Sequence, residues 1–243
     1  MSKKDRVTSR LVFTPGAVRE VLDTLLSLPG DLHPTDYRVG EGERWTSIET
    51  TRKVQEYDIS RYGSGGFFLR ASCAVYDTHF YDTVPSECHG YRIATSLAQD
   101  FLTRMSKAAP VFGYCCAKEE ESDRNFFELG PMQRPSSHTA YLGRDTRKYV
   151  PGLYWLTLIS ESLAAKHDVP LHLLEEISLE HVDLGGGLHL FRFYERPEDW
   201  SSDTKVKALA ASLPGIFNRA NVWAEYSPEL NFKDSVRVTK KWD

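Results

Sequence analysis

One apolar stretch constrains the fold of this chain more than any other feature. Residues 148–160 read KYVPGLYWLTLIS, and Thr157 is the one polar side chain between Leu153 and Ile159 if Tyr154 and Trp155 are counted with the aromatics. A run this apolar is typical of a central strand that is covered on both faces of its sheet. No catalytic group lies in it. We therefore interpret this aromatic strand as scaffold that holds surface loops in place.

The composition is that of a globular protein with a sizeable core. The chain has 243 residues, of which 41% are hydrophobic and 26% are charged. A chain of this length buries roughly 70% or more of the surface that it exposes when unfolded. We predict a single α+β domain over residues 1–243, with possible sub-halves at 1–130 and 148–243 on either side of a polar linker.

Hydrophobic periodicity predicts helices and strands that do not alternate strictly. Two predicted helices begin at Pro15 and at Pro170. Three more cover residues 90–107, 161–167 and 203–213. The predicted strands cover residues 10–13, 45–57, 67–82, 111–117, 153–159 and 188–195. Residues 118–125 read as an acidic loop or a single helical turn. This order favours a mixed or antiparallel sheet with helices packed on it, which is the α+β class.

Charge and cysteine usage narrow the environment and the partners. The net charge is −4 and the isoelectric point is about 6.1, which suits a phosphate backbone poorly, so nucleic acid is not the expected partner. The basic start MSKKDR is followed by no signal-peptide core, and no apolar run approaches the ~18 residues that span a bilayer. Four cysteines form no disulfide framework. We expect a cytoplasmic protein with reduced thiols that binds no membrane.

Candidate catalytic groups are few. Asp77 and His79 alternate on a predicted strand and share one face, but a metal site needs three or four converging ligands. Cys115 and Cys116 follow apolar residues and precede three glutamates, which would raise a thiol pKa, so we interpret them as small buried hydrophobes. We predict no catalytic residue, no metal and no cofactor. Two alternatives stay open: an enzyme with a dispersed site such as Asp77, His79 and Glu119, and an accessory protein for nucleic acid.

Clustered acidic residues are the remaining functional signal. Residues 175–203 contain eight acidic residues and two arginines, a net charge of −6. The segment KEEESDRNFFE adds a second acidic cluster, and the aromatics Tyr194 and Trp200 are expected at the surface. Such a surface suits docking onto a basic protein. The candidate partner-binding residues are Glu119, Glu120, Glu121, Glu195, Glu198, Asp199 and Trp200.

Three segments carry a resemblance to a known group of proteins. GYCCAKEEESDRN, GRDTRKYVPGLYWLTLIS and LHLFRFYERPEDW resemble bacterial immunity proteins of polymorphic-toxin and type VI secretion systems. The likeness covers residues 110–200, and its motifs are structural, so it transfers no functional residue position by position. It implies a cytosolic protein that binds a cognate toxin and blocks it by direct contact. Such toxins are often nucleases, and a basic nuclease fits an acidic partner.

Overall fold

The computed structural model describes residues 5–40, 42–50, 67–81, 83–131, 138–143, 145–217 and 236–239. It confirms the α+β class. Six α-helices lie in the described residues: α1 Val18–Leu26, α2 Ala98–Met105, α3 Lys118–Asn125, α4 Glu161–Lys166, α5 Leu171–Ile177 and α6 Thr204–Ser212. None of these helices is long and apolar enough to cross a bilayer.

Thirteen β-strands lie in the same residues, and all of their pairings are antiparallel. They are β1 Arg6–Phe13, β2 Asp36–Val39, β3 Thr46–Ser47, β4 Phe67–Arg70, β5 Val75–His79, β6 Ser86–Ala94, β7 Phe112–Cys116, β8 Phe126–Pro131, β9 His138–Tyr141, β10 Leu156–Ser160, β11 Glu180–Gly185, β12 Leu188–Arg192 and β13 Val236–Thr239. Ten of them form one sheet in the order β11-β12-β10-β7-β1-β6-β5-β4-β2-β3, while β13, β8 and β9 form a small second sheet. Both predicted sub-halves therefore supply strands to the large sheet.

Helices lie on both faces of the large sheet. The cross-strand neighbours Tyr114, Arg10, His89 and Asp77 share one face, because directly paired residues point the same way. Helix α3 lies on this face, where the hydroxyl of Tyr114 donates a hydrogen bond to Glu121. Helix α2 lies on the opposite face, where Phe101 stacks on the ring of Tyr76, and α1 packs beside α2. Below, the face of Asp77 is called the α3 face.

The apolar stretch of residues 153–159 is buried as expected. Every residue of β10 is buried, and the strand pairs with β7 on one side and with β12 on the other. The strand begins at Leu156, three residues later than predicted. Just before it, the Tyr154 ring stacks on Tyr114 with 3.9 Å between ring centroids, and Trp155 is 6% exposed. The stretch is therefore held by packing on both faces of the sheet.

The predicted strand over residues 67–82 is a hairpin instead, with Asp82 outside the described residues. Strands β4 and β5 pair antiparallel around residues 71–74, so Tyr76 and Thr78 point into the core and Val75 does not. The turn contains neither glycine nor proline, which are the usual sequence signals of a turn. It is held from a distance by Asp31, whose carboxylate accepts a hydrogen bond from the Ser72 hydroxyl at 2.7 Å.

Several predicted boundaries also change. Helix α1 begins at Val18, not at Pro15, and residues 14–17 form a turn. The predicted helix over 90–107 begins only at Ala98, because the chain up to Ala94 belongs to β6, which pairs with both β1 and β5. The predicted strand over 45–57 is reduced to β3 in its described part, and residues 51–57 lie outside the described residues.

Side chains cap the starts of two helices. The Ser160 hydroxyl accepts a hydrogen bond from the Leu163 amide at the start of α4. The Asp203 carboxylate accepts one from the Val206 amide at the start of α6. These side chains satisfy amides that the helix itself leaves without a partner, so the local sequence determines where both helices begin.

Truncation of Trp155 should test the scaffold interpretation. The indole is buried, and its Nε1–H donates to the Tyr194 carbonyl at 3.1 Å. We expect Trp155→Ala to lower the free energy of unfolding by about 3–5 kcal/mol, the usual cost of emptying a large aromatic site. Urea denaturation measures this loss. Leu179→Ala is the control, since Leu179 is 51% exposed and should change stability little. A loss at Trp155 no larger than at Leu179 would contradict the interpretation.

Candidate protein-binding site

Helix α3 presents the first acidic cluster. It follows the buried strand β7 directly and makes two turns, where the sequence predicted a loop or a single turn. Glu119, Glu120 and Glu121 occupy its first turn, where negative charge interacts favourably with the helix dipole. Arg124 lies one turn after Glu120 and pairs with it. The charge pattern therefore favours the helix that the hydrophobic pattern did not predict.

A buried network attaches this helix to the second acidic segment. The Oε1 atom of Glu120 lies 3.0 Å from Nε of Arg124 and accepts a hydrogen bond from the Tyr194 hydroxyl at 2.8 Å. A second guanidinium nitrogen of Arg124 donates to the Tyr194 oxygen at 3.1 Å. Tyr194 is 3% exposed, so the prediction that it is a surface aromatic is wrong. Removing one member of such a network would leave a buried charge uncompensated.

Glu120 therefore belongs to the interior. Its side chain is 0% exposed, which removes it from the surface that a rigid partner could touch. Burial disfavours the charged form and raises the pKa of this carboxyl to about 7, although the Arg124 charge and the hydrogen bonds from Tyr194 and Arg124 act to lower it. The sequence contained no sign of this, because three consecutive glutamates look alike until the helix face is known.

The topology of the sheet brings the two acidic segments together. Strands β7 and β12 are both antiparallel to β10, so they run parallel to each other and end at the same edge of the sheet. Helix α3 follows β7, and the 3-10 turn Pro197–Ser201 follows β12. The helix and the turn pack against each other. Two clusters that are about 75 residues apart in the sequence thus share one surface.

The six predicted residues that remain define this acidic surface. Glu119, Glu195 and Glu198 are exposed, while Glu121, Asp199 and Trp200 are half-buried. Arg192 lies 3.0 Å from Glu195, and Arg196 lies 3.2 Å from Asp199, so arginines pair with these two carboxylates. Lys207 lies 5.4 Å from the centre of the Trp200 ring. The acidic surface comprises Glu119, Glu121, Glu195, Glu198, Asp199 and Trp200.

A second group of ionisable residues lies on the α3 face, on strands β1, β5 and β6. Asp77 and His79 share this face as predicted, and the Oδ1 atom of Asp77 is 3.2 Å from Nε2 of His79. Strand pairing sets His89 opposite Asp77 and Glu87 opposite His79. The third residue of the dispersed-site alternative, Glu119, lies on α3 and no hydrogen bond or ion pair joins it to this group. We call Arg10, Asp77, His79, Glu87 and His89 the sheet-face cluster.

Burial and neighbouring charges determine the protonation states of Glu87 and His89 in this cluster. Glu87 pairs with the buried guanidinium of Arg10 and accepts a hydrogen bond from Nε2 of His89 at 3.0 Å. Burial alone would raise the pKa of Glu87, but the hydrogen bonds and charges of His89 and Arg10 overcome it and lower the pKa to about 2. Burial lowers the pKa of His89, and the Arg10 charge lowers it further. At neutral pH, Glu87 is ionised and His89 is neutral.

Sequence reasoning missed three members of this cluster. Arg10, Glu87 and His89 come from two strands that only long-range pairing sets beside β5. The available signal was the alternation in SECHGYR, which places Glu87, His89 and Tyr91 on one face of a strand. In the described part of the chain, no group of three or more histidine, cysteine or carboxylate side chains has a geometry suited to a metal ion.

No family model, no curated protein and no solved structure matches this chain significantly. The residues and their geometry therefore carry the functional argument. The relation to immunity proteins, which the three segments suggest, stays a proposal.

The pH dependence of stability should report on Glu120. The folded protein keeps a proton on this carboxyl at pH values where the unfolded chain, with a pKa of 4.5, has released it. Stability from this group is therefore present at low pH and falls as the pH rises from about 4.5 to about 7, by on the order of 3 kcal/mol. As the pH rises through this range, denaturant titrations should show the stability of Glu120→Gln rising relative to that of the wild type, whatever the difference between the two at pH 4.5. Glu119→Gln, at an exposed position, is the control that should not.

Thiol reactivity should follow burial. Cys88, Cys115 and Cys116 are buried and Cys73 is half-buried. Burial raises the pKa of Cys115 and Cys116, and the carboxylates of Glu120 and Glu121 raise that of Cys116 further. Because the thiolate is the reactive form, we expect a disulfide reagent to modify about one thiol in the native protein and the others only after unfolding. Cys73→Ser should remove the native reaction, and rapid labelling that persists in that variant would contradict the assignment.

Proposed function

We propose that this protein binds and neutralises a cognate toxin with a basic surface, as an immunity protein does, in the cytoplasm of the cell that makes both. The observation that carries the proposal is the convergence of two acidic segments, distant in sequence, on one rigidly attached surface. The acidic surface lies at one edge of the sheet, where α3 and the turn Pro197–Ser201 pack together. A basic nuclease is the class of toxin that best fits this charge.

Rigid attachment is what a docking surface needs. The Glu120–Arg124–Tyr194 network and the hydrogen bond from Trp155 to the Tyr194 carbonyl hold the helix and the turn to strand β10. A surface ordered in advance loses less conformational entropy when it binds. The exposed carboxylates around this network act mainly on the rate of encounter with a basic partner.

The resemblance and the geometry support the same surface. The three resembling segments contain β7, β10 and β12, which are neighbours in the sheet. Two of these segments continue into the acidic helix and the acidic turn, and the third supplies the strand between them. The likeness to immunity proteins thus falls on one contiguous part of the molecule, which includes all of the acidic surface.

The proposal expects a toxin to be encoded next to this chain's gene, and co-expression with that toxin tests it; if no toxin is encoded there, the proposed function is wrong. The wild-type protein should protect the cells, and the double variant Glu119→Lys/Glu198→Lys should fail to protect them, because both side chains are exposed on the acidic surface. With purified proteins, the variant should associate roughly tenfold or more slowly and show a weaker dependence on salt.

The matched control reverses two exposed acids elsewhere. Glu20→Lys/Asp23→Lys makes the same change in net charge on α1, whose partner helix α2 packs on the opposite face of the sheet. It should protect like the wild type. If Glu119→Lys/Glu198→Lys is folded and still protects, the contact lies elsewhere. If the wild type neither binds nor protects against the adjacent toxin, the proposed function is wrong.

A further inference from the structure

Arg38 lies between two aromatic rings on the α3 face, near one end of the large sheet. Phe68 is directly opposite it on β4, and Phe68 is in turn opposite Asp77, which defines this face. On the other side, the register of β2 and β3, continued by one residue, sets Trp45 opposite Arg38. The guanidinium carbon lies 4.5 Å from the centre of the Phe68 ring and 4.9 Å from that of the Trp45 ring. The guanidinium is therefore flanked by a ring on each side.

The charge of Arg38 has no counter-ion among the described residues. Asp36 points to the same face, but it is paired with Arg70 at 3.1 Å and accepts a hydrogen bond from the Thr35 hydroxyl at 2.9 Å. Nε of Arg38 is buried without a hydrogen-bond partner, whereas the side chain as a whole is half-buried. The two terminal nitrogens are therefore the part of the guanidinium that reaches solvent, and their donors are unused.

The surrounding side chains hold this arginine in place. Trp45 is contacted by a second guanidinium, that of Arg70, whose carbon is 4.7 Å from the centre of the indole ring. Arg70 is fixed in turn by its ion pair with Asp36. Stacking on aromatic rings engages the face of a guanidinium and leaves the donors in its plane available. A side chain ordered in this way loses less conformational entropy when it binds a ligand.

Shape and charge select the ligand. Rings flank the guanidinium and Nε is buried, so a ligand reaches the donors only at the tip, in the plane of the guanidinium. A carboxylate fits this approach, because its two oxygens match two parallel N–H donors. Its single negative charge also fits, since Asp36 and Asp77 lie on the same face and the exposed residues 43 and 44 carry opposite charges. A phosphate dianion would meet more repulsion from these two carboxylates.

We infer that the tip of Arg38, between Trp45 and Phe68, is a subsite for a carboxylate group. The two terminal nitrogens donate to the two carboxylate oxygens. The group belongs to an acidic side chain of a polypeptide or to a small organic acid, which share this chemistry. The inference goes beyond the proposed function and does not rest on it, because the acidic surface follows β7 and β12, and four strands separate β2 from β7 in the sheet.

Small probes test the subsite on the whole protein. N-acetyl-glutamate amide stands for a polypeptide side chain and benzoate for a small acid, and N-acetyl-glutamine amide and benzamide are their neutral analogues. We expect saturable NMR shift changes at Nε–H of Arg38 and at the indole N–H of Trp45, with roughly tenfold or more weaker binding of each neutral analogue. The carboxylate that binds more tightly identifies the source of the ligand.

Two results of this titration would overturn the inference. One is the absence of a response at both residues, or an equal response to acid and neutral analogue. The other is inorganic phosphate that binds as tightly as the carboxylates at equal ionic strength, because the site would then select charge and not the carboxylate.

Variants identify the contact. Arg38→Lys keeps the charge but removes the paired donors, and Trp45→Ala removes one flanking ring, so each should weaken carboxylate binding roughly fivefold or more. Arg104→Lys is the matched control, since Arg104 belongs to α2 on the opposite face of the sheet and its side chain is 41% exposed. It should bind like the wild type. Binding that Arg38→Lys leaves undiminished would contradict the paired contact.

Stability separates a binding role of Arg38 from a structural one. Arg38→Met keeps an unbranched side chain between the rings and removes the donor that has no partner inside the protein. For a ligand-binding arginine, we expect this variant to lose carboxylate binding while its midpoint of urea unfolding does not fall. If the midpoint falls and the wild type binds no carboxylate, Arg38 serves only to pack the two rings and the inference is wrong.

Discussion

The pairing of strand β10 with both β7 and β12 is the constraint on which the rest of the structure depends. A strand buried on both faces needs a covering layer on each side, and helices supply these layers here. The same pairing makes β7 and β12 parallel to each other, so the segments that follow them emerge together. The acidic surface is therefore a consequence of strand topology, and no local property of either acidic segment produces it.

Local chemistry determined what could be predicted. Ser160 and Asp203 each accept a hydrogen bond from an amide three residues further along the chain, so the starts of two helices depend on local sequence. The apolar stretch predicts a buried strand from local sequence as well, because a strand that is covered on both faces is apolar at nearly every position. The α+β class followed from these elements without any knowledge of how the strands pair.

Long-range pairing determined what could not be predicted. The helix that begins at Ala98 is predicted to begin at residue 90, but pairing with β1 and β5 places residues 90–94 in strand β6. The turn before Val75 is held by Asp31, about 40 residues away, so the local sequence contains no residue that signals the break between the two strands. Likewise Glu120 differs from Glu119 and Glu121 only in the helix face that it occupies, and Tyr194 is buried because Glu120 and Arg124 reach it.

The two terminal strands of the large sheet have a consequence for self-association. Among the described residues, one of them is β3, which has two residues, and the other is β11, which carries Glu180 and Asp183 and shifts register between Asp183 and Gly185. An outer strand offers unused backbone groups to any similar strand, and short length, charge and irregular register all oppose such pairing. The described outer strands of this wide sheet therefore carry features that oppose edge-to-edge polymerisation of one copy with another.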